Sequence, residues 1–248
     1  MKLRRFKVEK ERIQGREAVI EDPGQMGHIR RVLRLKAGDP LILFDGEGKE
    51  CHAVLSSLSS RRITLTLLKE PSPVTSESPL RVILGLGLLK SSKFDWVIQK
   101  VTELGVSEIV PFYSLRVVPR WEESKARAKQ SRWDKIASEA AKQCRRARIP
   151  RIHPLCSFEE TLAMDFAGAG KIFLWEEERA GTLKDALADA ASVIYALVGP
   201  EGGFSENEAL RAREAGFFPI RLGPRILRAE TAGIVIVSLL QFFLGDLN

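Results

Sequence analysis

"LVGPEGGFSENEAL", residues Leu197 to Leu210, carries an apolar run through a glycine turn into a helix start. With the residues just before it, the run becomes "VIYALV", the length and composition of a buried strand. Gly199-Pro200-Glu201-Gly202-Gly203 is the turn. Ser205 and Glu208 have the spacing of a capping box, in which the serine accepts a backbone N–H and the glutamate reaches back to the cap. A strand, a loop and a helix in this order form the unit from which α/β sheets are built.

The pattern continues outward. "RVILGLGLL", "EIVPFY", "RIHPL", "KIFLW" and "FPIRL" read as further strands. "SKFDWVIQKVTEL", a charged stretch from about Glu122 to Arg146, "TLKDALADA", "ENEALRAREA" and a final helix alternate with them. Such alternation specifies a mainly parallel sheet, whose ligands sit beyond the carboxyl ends of the strands. The final helix is apolar on nearly every side, which predicts burial in the core or in an oligomer interface. Upstream, "EPSPVTSESP" (Glu70 to Pro79) has three prolines and no apolar period, as a linker does. Before it, "DPLILFDGEGKECHAVLSSLSSRRITLTLL" shows strand-length runs about the turn Asp45 to Gly48, preceded by a short helix, "GQMGHIRRVLRL". That half predicts a small antiparallel sheet or barrel. The expected domains are 1–72 and 73–248.

The glycine loop invites a phosphate reading, but a Walker loop needs a lysine for the phosphates and a following hydroxyl for magnesium, and neither is present. Glu201 would repel a phosphate in the same cradle, whereas backbone amides and carbonyls beside a carboxylate suit adenine, ribose or a cationic group. Taken alone, the glycines could also serve only the turn's dihedrals. A second glycine stretch, "GLGLLKSSKFD" (Gly85 to Asp95), lacks the third glycine of a dinucleotide fingerprint. Ser92 and Asp95 look like a helix cap there, with Lys90 and Lys93 as phosphate contacts at the top of the helix. In a third stretch, "LGPRILRAETAGIVIV", Arg225 and Arg228 are the cations near a helix start that carries Glu230 and Thr231.

Composition bounds the class. The 248 residues are 44 % hydrophobic, enough for a full core, and no apolar h-region or membrane-length run occurs, so a soluble, cytoplasmic chain is expected. Three cysteines without a Cys-x-x-Cys pair indicate neither a disulfide framework nor a zinc site, and Cys144, His153 and Cys156 lack a fourth ligand at metal spacing. No metal is expected. The net charge of +7 is unevenly placed: residues 81–156 hold 16 basic against 7 acidic residues, and residues 157–248 hold 8 against 14. A basic front and an acidic back suggest a polyanion held by one part and a non-anionic ligand by the other.

Four segments in order, "HIRRVLRLKAGD", "KFDWVIQKVTELGV", "LVGPEGGFSENE" and "RLGPRILRAETA", resemble the bacterial 16S ribosomal RNA uracil-N3 methyltransferase family of SPOUT enzymes. The resemblance covers essentially the whole chain. It implies an α/β C-terminal domain with a trefoil knot, a smaller N-terminal PUA-like RNA-binding β-barrel, S-adenosylmethionine as cofactor, and a homodimer acting on 16S ribosomal RNA or the 30S subunit. Carried over by position, the cofactor loops are Leu174, Trp175 and Glu176; Gly199, Pro200, Glu201 and Gly202; and Leu222, Gly223, Ile226 and Leu227, with Thr231 nearby. The chain departs from the family at "SLRVVPR" (Ser114 to Arg120) and at Cys144-Arg145, where Ser-Gly is usual.

Methylating uridine N3 requires loss of its proton and stabilisation of the resulting anion, with methyl and nitrogen aligned. Arg228 is the candidate for the anion, and Glu230 the candidate for orienting Arg228 or accepting the proton. RNA contacts are expected from Arg4, Arg5, Arg30, Arg31 and Arg34, then from Lys90, Lys93, Arg116, Arg120, Arg132, Arg145, Arg146 and Arg148, with salt-dependent affinity. Trp121 is a candidate for base stacking, and Trp133 for the core, at helical spacing from Ile136 and Ala137. Two alternatives stay open at this point: a non-catalytic RNA-binding assembly factor, and a related enzyme acting on another RNA or on a ribose 2′-hydroxyl.

Overall fold

The computed structural model of the chain describes residues 3–74, 77–114, 121–188 and 191–248. They divide into two compact units, Met1–Glu77 with Ala141–Ile149, and Ser78–Ala140 with Pro150–Asn248.

The first unit is a mixed sheet. Its strands are β1 (Arg4–Lys7), β2 (Ile13–Gln14), β3 (Glu17–Ile20), β4 (Pro40–Phe44), β5 (Lys49–Leu58), β6 (Ile63–Leu67) and β7 (Ser72–Pro73), in the order β1-β4-β5-β6-β3-β2 with β7 on β5. The sequence predicts antiparallel pairing, but β1 runs parallel to β4. The two ends of this order are not paired with each other among the described residues. Alternate residues such as Leu41 and Leu43, or Ile63, Leu65 and Leu67, turn to one buried core, as the period of two requires. The helix α1 (Pro23–Gly27) begins at Asp22, whose carboxylate accepts from the Gln25 amide at 2.7 Å, and it runs into a π-helical turn, His28–Val32. Met26 and Ile29 thereby reach the core. Composition gave no sign that 141–149 belongs here. Backbone bonds from Ile149 to Gly46 (2.9 Å) and from Gly48 to Ala147 (3.2 Å) attach it, while Glu77 accepts from the amides of Ala147 and Arg148 and pairs with Arg146 at 3.1 Å.

The second unit is a parallel α/β sheet, as the alternation predicts. Strands β8 (Arg81–Gly87), β9 (Glu108–Tyr113), β10 (Arg151–Ile152), β11 (Cys156–Ser157), β12 (Gly170–Leu174), β13 (Val193–Val198) and β14 (Phe218–Ile220) run in the order β10-β9-β8-β13-β12-β14, with β11 on β9. Helices α2 (Ser91–Glu103), α3 (Glu123–Cys144), α4 (Phe158–Ala163), α5 (Leu183–Ala186), α6 (Glu206–Glu214) and α7 (Ala229–Leu244) connect or flank them, with α2 packed on α7. Trp133 is buried against Phe94, with ring centroids 4.6 Å apart, which makes it a core residue. The final helix is partly enclosed within the chain: Ile236, Val237 and Leu240 are buried, whereas Phe242 and Phe243 are exposed.

Local sequence signals account for most element boundaries. The capping box before α6 forms as read, with Ser205 Oγ accepting from the Glu208 amide at 3.3 Å and Glu208 accepting from the Ser205 amide at 2.8 Å. The expected cap at Ser92 and Asp95 does not form. Lys90 occupies the cap position of α2 without a side-chain bond, and Asp95 instead accepts from Arg132 at 2.9 Å. The second glycine stretch has a packing reason. A Cβ on Gly87 would lie 2.6 Å from Pro200 N, and one on Gly85 would overlap Leu197, so both glycines let β8 approach β13 and the loop after it.

Candidate functional site

The carboxyl ends of β12, β13 and β14 present three loops to one cleft of about 330 Å³, within the ordinary range for a small ligand. From the first loop come Leu174, Trp175 and Glu176; from the second, Gly199, Pro200, Glu201 and Gly202; from the third, Leu222, Ile226 and Leu227. All were cofactor candidates in the sequence. Gly223 and Thr231, also candidates, are not in the lining; Gly223 instead takes a positive φ of 75° that shapes the third loop. Sequence reading missed Val198 and Ile220, although each ends its strand where such ligands bind, and it missed Arg221, Arg225 in its lining role, Gly203 and Ala232.

Each loop is held by bonds of its own. Trp175 donates its amide to Ile220 O at 3.0 Å, and Glu178 accepts from the amides of Arg179, Ala180 and Gly181 while pairing with Arg213 at 2.6 Å. Those amides, Ala180 first, hold the Glu178 carboxyl below its usual range despite partial burial. Gly203 closes the second loop by donating to Pro200 O at 3.0 Å with φ 67°, and a side chain there would run into the Glu176 carboxylate. Arg221 donates to Pro224 O at 3.0 Å across the third loop. Ile226 is 80 % exposed on the rim.

The cleft carries both signs of charge. Glu176 and Glu201 line it together with Arg221, Arg225 and Arg228. Glu201 is not a bare carboxylate, because Lys93 lies 2.7 Å from it. Exclusion of a phosphate therefore rests more on the missing Walker lysine and hydroxyl than on Glu201. The same Lys93 ammonium lies 3.1 Å from Glu230, so it is engaged in two ion pairs. Glu230 is buried. Burial pushes its pKa up, but its own amide, Lys93 and Arg228 outweigh that and leave it below the ordinary value. Arg228, the cap residue of α7, lines the cleft, whereas Glu230 is not among the lining residues.

Two polar atoms at this end of the sheet are buried without partners, Trp175 Nε1 and Glu230 Oε2. A buried donor without an acceptor costs roughly 1–3 kcal/mol, and this one belongs to a residue of the cleft lining. The Trp175 ring is fixed by Phe173, stacked at 6.3 Å, and by Arg213, whose guanidinium lies 5.5 Å from the ring centre. Backbone amides, an indole donor and both signs of charge form a donor set that fits S-adenosylmethionine, whose amino-acid end is zwitterionic.

The expected RNA-contact residues separate into groups. Arg4, Arg31, Arg34, Lys90, Arg145 and Arg148 are exposed. Arg5 pairs with Glu50 at 2.5 Å and Arg146 with Glu77, each with a side chain only 9 % exposed, so both act as internal struts rather than surface cations. One Arg30 nitrogen is buried without a partner, and Arg132 pairs with Asp95 at 2.8 Å while staying largely exposed. Arg116 and Arg120 lie outside the described residues, as does all of "SLRVVPR" after Ser114. Arg145 adopts φ 69°, a left-handed conformation, at the position where the family resemblance has glycine. Trp121 is flanked by Lys125 and Lys129 at 5.6 and 5.8 Å. Among the described residues no three potential metal ligands come together, and no helix is long and apolar enough to cross a membrane.

Comparison with known proteins matches residues 76–241 to an RNA methyltransferase domain family and residues 20–68 to an RNA methyltransferase PUA domain family. A Bacillus subtilis protein named ribosomal RNA small subunit methyltransferase E is 34 % identical over 226 residues, covering 88 % of this chain and 87 % of its own. The crystal structure of a ribosomal RNA small subunit methyltransferase E from Neisseria gonorrhoeae bound to S-adenosylmethionine superposes with a TM-score of 0.90 at 31 % identity, over the full length of both chains. A protein from Legionella pneumophila described as a methyltransferase, also with bound cofactor, gives 0.89 at 30 % identity over 99 % of this chain and 100 % of its own.

Proposed function

The chain belongs to the ribosomal RNA small subunit methyltransferase E family, and from that premise we propose that it transfers a methyl group from S-adenosylmethionine to N3 of one uridine in 16S ribosomal RNA. The observation that carries this reading is the cleft: three loops at the carboxyl ends of parallel strands, with a buried unpartnered indole donor and no phosphate-loop lysine. Gly199 to Gly202, Leu174 to Glu176 and the 222–227 loop would hold the cofactor. When bound, it supplies an electrophilic methyl group on a sulfonium.

The chain's own residues prepare the acceptor. Arg228, fixed at the start of α7 and facing the cleft, places a permanent cation where a deprotonated uracil would carry its charge. Glu230, kept ionised beside Lys93 and Arg228, suits orienting Arg228 better than storing a proton, because a carboxyl with a lowered pKa is a weak base. The exposed arginines 4, 31, 34, 145 and 148 and Lys90 supply salt-sensitive contacts to the RNA backbone.

A knotted path, a homodimer and a cytoplasmic setting complete the proposal. The dimer is supported by Trp96 of α2 with Phe242 and Phe243 of α7, apolar residues left exposed on two helices that pack together. Titration calorimetry of S-adenosylmethionine into the isolated protein tests the reading. Micromolar binding is expected, and RNA binding without cofactor binding would make the chain an assembly factor instead.

A further inference from the structure

Lys93 sits in the first turn of α2, where the helix dipole disfavours a cation and where no side chain caps the helix. Its ammonium is instead shared between Glu201 at 2.7 Å and Glu230 at 3.1 Å. These carboxylates come from different segments: Glu201 from the glycine loop after β13, and Glu230 from the first turn of α7. Each carboxylate favours the charged lysine, Glu201 first, so the bridge holds throughout the neutral range. Without the ammonium, both segments would present like charges to one point and move apart.

The two ends of the bridge have different surroundings. Glu201 is on the cleft wall, and its loop approaches so closely to β8 that Gly87 admits no side chain. Glu230 is two residues from Arg228, which lines the same cleft, and its Oε2 is buried without a partner while Lys93 holds Oε1. We propose that Lys93 is a positioning residue that joins the cofactor loop to the start of α7, so that the placement of Glu201 and of Glu230, two residues from Arg228, is set by one ammonium. This rests on the reading of the cleft given above. It also replaces the expectation that Lys93 contacts RNA phosphate.

The test uses the full chain with Lys93→Met, Lys93→Arg and Glu201→Gln. Cofactor affinity is read by calorimetry, kcat and KM with the 16S RNA substrate, and folding by melting temperature. Lys93→Met is expected to weaken S-adenosylmethionine binding about 5- to 20-fold, within the range of ordinary coupling between sites, and to lower kcat at saturating cofactor. The KM for RNA should change less than about twofold, a split that simple loss of a phosphate contact would not give. Lys93→Arg should restore most of both losses. In the pair Lys93→Met with Glu201→Gln, the combined loss of affinity should fall well short of the product of the single losses. If Lys93→Met does not fold, Lys93→Gln repeats the test with an uncharged donor.

Lys93→Met with unchanged cofactor affinity and kcat, but a raised RNA KM and a salt slope reduced by about one, would overturn the proposal in favour of a phosphate contact. Fully multiplicative losses in the double variant would overturn it as well. A wild-type chain that binds no cofactor would defeat the functional reading itself. Wild-type binding with an indifferent Lys93→Met defeats only the role of Lys93.

Discussion

The parallel sheet carries a charge cluster at each end, and the two are finished differently. Where β8 and β9 begin, both oxygens of Glu108 are engaged: Arg81 donates to Oε1, from Nε at 2.9 Å and from Nη2, and His153 is 2.7 Å from Oε2. Where β12, β13 and β14 end, Lys93 bridges Glu201 and Glu230, yet Glu230 Oε2 and Trp175 Nε1 stay buried and unpartnered. A closed network of buried polar groups holds a structure together, and an open one retains capacity for a ligand. The contrast assigns stability to one end of the sheet and the proposed function to the other.

Substitutions at the two ends should therefore have opposite signatures. The largest effect is expected from Arg228→Ala at the open end: kcat at saturating RNA should fall by roughly 100-fold or more, with the melting temperature nearly unchanged because Arg228 is exposed. Normal turnover in that variant would remove Arg228 from the mechanism. At the closed end, Glu108→Gln should cost about 1.5–3 kcal/mol in denaturant unfolding and leave cofactor affinity as it was. A weakened cofactor with unchanged stability would reverse the distinction.

The pH dependence of the closed end follows from the same cluster. Hydrogen bonding to His153, with Arg81 beside it, overcomes partial burial and lowers the Glu108 pKa from 4.5 to about 2. A lowered carboxyl contributes stability that is complete above the unfolded value and is lost as the pH falls through the folded one. Acid unfolding between about pH 4.5 and 2 should accordingly be flatter for Glu108→Gln than for the wild type. An identical acid profile would show that Glu108 titrates as it does in the unfolded chain.

The smallest effect lies away from both ends. Arg145 holds a left-handed φ of 69°, for which a side chain carries a penalty and glycine does not. Arg145→Gly should gain about 0.5–1 kcal/mol in chemical unfolding, while reducing the salt dependence of RNA binding slightly. A loss of stability would mean that the Arg145 side chain makes a compensating contact.

Legibility in the sequence followed the range of the interactions involved. The α/β alternation and the capping box at Ser205 and Glu208 depend on local pattern, whereas the three cleft loops follow from the family resemblance, and the structure brings those loops together. The glycines of "GLGLL" are ambiguous in sequence because their reason, the approach of Pro200 and Leu197, lies more than a hundred residues away. The parallel β1–β4 pair, the attachment of 141–149 and the withdrawal of Arg5 and Arg146 into ion pairs are likewise set by partners that no periodicity identifies. Lys93 is the clearest case. As a basic residue at a helix start it looks like a phosphate contact, and only folding reveals the two carboxylates that claim it.

Mass spectrometry of nucleosides from 16S ribosomal RNA, comparing cells with and without the gene, tests the assignment most directly. One N3-methyluridine should be absent without the gene and return on incubation of the RNA or small subunit with the purified protein and S-adenosylmethionine. An unchanged N3-methyluridine content, or loss of a 2′-O-methyl nucleoside in its place, would contradict it.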